Sequence, residues 1–109
     1  MNLTDYEKFV TDTWIGAKNP EDKELRDLFI CTAGIGGEAG EVQEKLKKFV
    51  RDGNLDIPNL EKELGDVLYY LTTIAHTFGL TLESVMNGNV EKLTRRFTNG
   101  TMRGSGDNR

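Results

Sequence analysis

Apolar side chains recur at helical spacing through most of the chain, and no stretch alternates cleanly enough to read as a strand. A first helix, capped by Asn2 or Thr4, is predicted to run to about Ala17, with Tyr6, Phe9, Val10, Thr13 and Trp14 on one side. Asn19-Pro20-Glu21 marks a boundary, and Glu21 or Asp22 puts negative charge near the next helix start. That second helix is predicted from Lys23 or Glu24 to Arg51, along the row Leu28, Ile35, Ala39, Val42, Leu46, Phe49 and Val50. Gly34, Gly36 and Gly37 interrupt the row, each costing about 1 kcal/mol of helix propensity. Apolar positions on both sides stay in phase, which favours one continuous or slightly bent helix. Asp52-Gly53-Asn54 ends it, and Ile57-Pro58 blocks its continuation.

A third helix is predicted from about Pro58 to Phe78, with Leu60, Leu64, Val67, Leu68, Leu71, Ile74, Ala75 and Phe78 facing a core and Gly79 as its stop. Thr81 caps a fourth, in which Leu82, Val85, Met86, Val90, Leu93 and Phe97 continue the pattern, and Ser84 allows a weak capping box. From Gly100 to Arg109 the chain has no apolar row, so this tail is either loose or ordered by a ligand or neighbour. The expected fold is therefore all-α: a compact four-helix bundle over residues 1–99 and a flexible or ligand-ordered tail over 100–109.

Composition narrows the function classes. At 109 residues there is room for one domain, with about 6,100 Å² of folded surface by size scaling. The net charge of −4 excludes a general nucleic-acid binder, although one cleft can still carry a positive field. No run approaches the roughly 18 apolar residues of a membrane span, and the start lacks the basic and apolar regions of a signal peptide. The cytoplasm is the expected compartment. Cys31, the single cysteine, has apolar neighbours that suit a buried thiol rather than a nucleophile.

The chemistry lies in Glu38-Ala39-Gly40-Glu41 and Glu63-Leu64-Gly65-Asp66. Each i,i+3 spacing puts two carboxylates side by side on a helix, on the same flank of its apolar row. If the two helices pack antiparallel, all four acids converge at one edge of the core. Like charges so placed oppose folding unless protons or a cation compensate them, and an all-oxygen set favours Mg²⁺, with Mn²⁺ as its substitute. A solvated or salt-bridged acidic face is the other reading. Gly40 and Gly65, inside the pairs, would permit close backbone packing. His76 falls about 160° from Leu60, on the polar side of its helix, as a surface imidazole.

Cations accompany the acids. Lys45 and Lys48 follow the first pair, and Lys92, Arg95 and Arg96 cluster on the last helix. A metal beside Lys and Arg suits a polyphosphate. For Lys47 and Lys62, salt bridges to neighbouring glutamates are the expectation.

Gly36-Gly37-Glu38-Ala39-Gly40-Glu41-Val42, Lys47-Lys48, and Glu63-Leu64-Gly65-Asp66-Val67-Leu68-Tyr69-Tyr70 together resemble the MazG-like nucleoside triphosphate pyrophosphohydrolases. Leu82-Glu83-Ser84-Val85-Met86, Asn89 and Lys92-Leu93-Thr94-Arg95-Arg96 continue the likeness. The resemblance implies an all-α fold, assembly as a homodimer or homotetramer, and Mg²⁺-dependent hydrolysis of a nucleoside or deoxynucleoside triphosphate to monophosphate and pyrophosphate. It implies that Glu38, Glu41, Glu63 and Asp66 hold metal, with Glu38 or Glu41 assisting proton removal from water. It also implies nucleotide or phosphate contacts at Lys48, Tyr70, Asn89, Lys92 and Arg96. Trp14 is either a base contact or a packing residue, and Arg103 and Arg109 in the tail are expected to meet phosphate if the tail closes on the site. A phosphoribosyl-ATP pyrophosphohydrolase keeps this chemistry with another substrate, and a noncatalytic helical interaction module is the competing class.

Overall fold

Three of the four helices begin where a side chain can satisfy an amide that has no helical partner. In the computed structural model, which describes residues 1–109, the helices are α1 (Leu3–Thr13), α2 (Lys23–Asp52), α3 (Ile57–Thr77) and α4 (Leu82–Thr98), with no strand. Asn2 Oδ1 accepts from the Asp5 amide at 2.8 Å, and Asp56 Oδ1 from the Asn59 amide at 3.1 Å. Thr81 and Ser84 exchange two 3.0 Å bonds, a full capping box where only a weak one was expected. Glycines close the other ends. Gly53 caps α2 at φ 83°, and Gly79 at φ 72° lets the Leu80 amide reach back to Ala75 O at 2.9 Å.

The first helix is shorter than its apolar row predicts. It stops at Thr13 rather than near Ala17 because Asp27 of α2 competes for the chain beyond it. The Asp27 carboxylate accepts from the Ala17 amide at 2.7 Å and from Trp14 Nε1 at 3.3 Å, while Gly16 turns the backbone at φ 66°. For the Ala17 amide the carboxylate replaces the carbonyl that another helical turn would have offered. α2 runs unbroken through its glycines, as their phase suggested.

α2 and α3 form an antiparallel pair whose register is readable from contacts along it. Lys45 meets Glu63, Glu38 meets Glu63 and Asp66, and Gly34 meets Tyr70. α1 crosses α3 through His76, which contacts Glu7 Oε2 at 2.6 Å and Thr11 Oγ1 at 3.3 Å, and through Tyr69, whose hydroxyl lies 2.8 Å from Thr13 Oγ1. His76 is thus a half-buried link between helices rather than a surface imidazole. α4 packs on α1 and α3 but not on α2.

The core is small: Val10, Cys31, Ala75 and Leu82, with Thr72 and Thr73 returning their hydroxyls to carbonyls one turn back. Several residues expected in it stay exposed, among them Val50 at 84%, Phe97 at 77% and Val90 at 63%. The radius of gyration is 16.9 Å, against about 13 Å for a compact chain of this length. The chain is an open bundle, and its apolar rows extend beyond what its own helices cover. No helix is long and apolar enough to cross a membrane.

Candidate functional site

The antiparallel register brings Glu38 of α2 against Glu63 and Asp66 of α3. One carboxylate oxygen from each lies within 4.8 Å of the other two. Glu38 and Glu63 are half-buried and Asp66 is exposed, so the cluster sits at the edge of the helix pair, open to a ligand. Burial, the neighbouring Glu63 carboxyl and the charges of Asp66, Glu63 and Glu41 push the Glu38 pKa above the usual carboxylate value. Lys45 Nζ, 3.6 Å from Glu63 Oε1, supplies one compensating charge. Three carboxylates and one cation leave a site short of positive charge.

Glu41 does not join this group. It lies on the exposed rim, near enough for its charge to reach Glu38 but turned out of the cluster. Gly40 and Gly65 do not serve close packing within the chain, because a Cβ at either would meet nothing within 4 Å. Gly34 is the glycine that does. A Cβ there would stand 2.5 Å from the Tyr70 ring, one turn before Glu38 on α2 and one turn after Asp66 on α3.

Tyr70 belongs to an aromatic group beside the acids. Its ring is edge-on to Trp14 at 6.3 Å and to Tyr69 at 6.0 Å. Trp14 packs against both tyrosines while its indole N–H is taken by Asp27. Beyond this group a cleft of about 450 Å³ opens, lined by Trp14, Asp27, Cys31, Thr73, His76 and Thr77. Cys31 precedes Glu38, and Thr73 follows Asp66, by two helical turns, so the cleft lies about 10 Å from the acids along the helix pair. Burial pushes the Cys31 thiol pKa up, which suits an inert wall residue. Tyr6, expected only in a core row, has its pKa raised by burial and then by the charges of Tyr69 and Asp66. No local motif signals that influence.

The remaining cations are placed elsewhere. Lys47 pairs with Glu44 at 3.1 Å, as expected. Lys48 is exposed on the outer face, where it adds to the lowering of the Glu44 pKa by Lys47 and of the Asp52 pKa by Arg51. Asn89 is exposed on α4, which does not touch α2. Lys92 and Arg96 face the tail instead, where Asp107 Oδ1 lies 3.4 Å from Lys92 Nζ and 3.2 Å from Arg96 Nη2. The tail is tied to its own chain. Arg109 donates to the carbonyls of Thr101, Gly106 and Met102, and Arg103 is exposed.

Residues 23–101 match the family model of the MazG nucleotide pyrophosphohydrolase domain. The match takes in both acidic pairs, all of α2 to α4 and the start of the tail, while α1 lies outside it. The chain is also 35% identical over 114 residues to the Gene 37 protein of Mycobacterium phage L5, with 100% of each covered. No solved structure matches the chain.

Proposed function

The chain belongs to the MazG nucleotide pyrophosphohydrolase family, and on that premise we propose that it hydrolyses a nucleoside or deoxynucleoside triphosphate to monophosphate and pyrophosphate. The observation that carries this reading is the convergence of Glu38, Glu63 and Asp66, with their oxygens within 4.8 Å and only Lys45 to offset them. Their chemistry fits a hard divalent cation. Glu38, Glu63 and Asp66 would hold Mg²⁺ through their carboxylate oxygens. Mn²⁺ would substitute for it. The bound cation would neutralise phosphate charge and lower the pKa of an attacking water.

The chain's own residues take the other roles. Glu41 is exposed and free of the cluster, so it can accept the proton released by the water, while Glu38 stays with the metal. Tyr70 lies one turn from the acids with Trp14 edge-on against it, an aromatic surface on which a sugar or base can stack. Lys48, Asn89, Lys92 and Arg96 are assigned to the phosphates. α4 does not reach α2 within one chain, so its polar residues would approach an acidic cluster in a homodimer or homotetramer. The cytoplasm, where nucleoside triphosphates are abundant, is the compartment this activity implies.

The test is a panel of ribo- and deoxyribonucleoside triphosphates, with phosphoribosyl-ATP included, assayed with Mg²⁺, with Mn²⁺ and with chelator. Turnover of one or more triphosphates that chelator abolishes is expected. Turnover of phosphoribosyl-ATP alone would change the substrate. Inactivity across the panel would turn the reading toward a noncatalytic helical module.

A further inference from the structure

Asp107 stands where an anionic ligand oxygen would stand. One of its carboxylate oxygens is shared between Lys92 Nζ at 3.4 Å and Arg96 Nη2 at 3.2 Å, the way two cations hold a single phosphate oxygen. Arg96 is 5% exposed, an uncommon depth for a guanidinium. The tail helps to bury it, and the same Nη2 also donates to Gly106 O at 3.2 Å and Asp107 O at 3.1 Å. Its Nε is buried with no partner at all. An Arg fork that crowds its bonds on one nitrogen and leaves its neighbour empty is poorly matched to what covers it. A tetrahedral oxyanion, offering two oxygens side by side, would fill both Nη2 and Nε.

Backbone conformation shows how the tail reaches this place. Gly104 at φ 135° and Gly106 at φ 87° turn the chain through conformations that side chains rarely adopt, and so deliver Asp107 to α4. Asp107 itself is highly exposed, its side chain 83% accessible, so the contact is at the surface and open to exchange. Lys92 and Arg96 lie four residues apart, on one face of α4.

We propose that the tail is an internal latch: the Asp107 carboxylate occupies an oxyanion site made by Lys92 and Arg96, and a phosphate group of an incoming polyphosphate displaces it. This rests on the assignment of Lys92 and Arg96 to phosphate made above, and adds that the site is closed by the chain itself until substrate opens it. The latch lowers apparent affinity by the fraction of molecules in which the site is occupied by Asp107.

The test uses the full chain and inorganic tripolyphosphate as the probe, which separates phosphate recognition from nucleotide chemistry. Calorimetric titration should show Asp107→Asn binding tripolyphosphate more tightly than the unaltered chain by about two- to fivefold, the scale of one part-exposed ion pair. A chain ending at Met102, which keeps the Thr101 amide bond that caps α4, should bind at least as tightly as that variant. The backbone NMR signals of residues 104–109 should shift toward unstructured-chain values and sharpen when tripolyphosphate is added. Equal or weaker binding by Asp107→Asn, or tail signals unchanged at saturation, would overturn the latch. Failure of the two proposals is distinguishable. Tighter tripolyphosphate binding by Asp107→Asn without hydrolysis of any nucleotide would uphold the latch and remove the enzyme reading, whereas nucleotide hydrolysis with unchanged affinity in both variants would remove the latch alone.

Discussion

Gly34 lies directly under the ring of Tyr70, where a Cβ would stand 2.5 Å from Cε1. This contact lets α2 and α3 approach at the point from which Glu38 and Asp66 both extend by one turn. Gly34→Ala gains up to about 1 kcal/mol of helix propensity but forces the ring or the helices to move, at about 1–3 kcal/mol. A net loss of up to about 2 kcal/mol in urea unfolding is expected from those two magnitudes. Gly36→Ala meets open space within the chain and should stabilise it by up to about 1 kcal/mol. A stabilising Gly34→Ala would contradict the contact.

The carboxylates should report metal as stability. Mg²⁺ added to the metal-free chain is expected to raise its melting temperature in a concentration-dependent way. Glu63→Gln should abolish that rise and cut turnover by about 100-fold or more, since even the groups that only support metal ligands are worth 10–100-fold. Glu41→Gln should keep most of the Mg²⁺ stabilisation and lose turnover, because Glu41 stands outside the cluster. Equal loss of metal stabilisation in both variants would put Glu41 back among the ligands.

Asp27 sets an acid limit on the fold. The Lys23 hydrogen bond, then the Ala17 amide and the Trp14 indole, holds its pKa below the usual 3.8. A depressed carboxyl contributes stability that is present above its unfolded pKa and is lost as pH falls through the lower, folded one. The chain should therefore lose stability as pH drops below about 4, and Asp27→Asn should be less stable at neutral pH with a flatter slope in that acid range. Chemical unfolding at several pH values measures both. A parallel pH profile in the variant would show that Asp27 carries none of the slope.

Much of this arrangement was legible in the sequence, because helical spacing alone places Glu38, Glu63 and Asp66 on matching flanks. Continuity of α2 through Gly36 and Gly37 followed from the phase of the apolar row. The features that were not legible depend on contacts between distant parts of the chain. Nothing near Ala17 announces that Asp27 will capture its amide, and nothing near Arg96 announces that a tail residue will bury it. The i,i+3 spacing makes Glu41 a neighbour of Glu38, but only the packing of α2 on α3 decides which carboxylate oxygens come within 4.8 Å of one another, and those belong to Glu38, Glu63 and Asp66. Phe97 and Val90 read as core because apolar periodicity does not distinguish an internal partner from a second copy of the chain.

That ambiguity yields a prediction about assembly. The chain exposes 8191 Å², roughly 2,100 Å² more than size scaling gives for a compact monomer of this mass. An excess of that order matches what a subunit of an obligate oligomer buries. Light scattering over a range of concentrations should give a dimer or tetramer, and Phe97→Ser should shift it toward the single chain. A single-chain mass at every concentration, with full activity, would contradict the assembly.

The most direct measurement counts both products of one reaction. With Mg²⁺ and the best substrate of the triphosphate panel, monophosphate and pyrophosphate are quantified together by anion-exchange chromatography, for the unaltered chain and for Glu38→Gln. The predicted result is equal amounts of the two products from the unaltered chain and almost none from the variant. Orthophosphate released stepwise through a diphosphate, or undiminished pyrophosphate release by Glu38→Gln, would contradict pyrophosphohydrolysis at the carboxylate cluster.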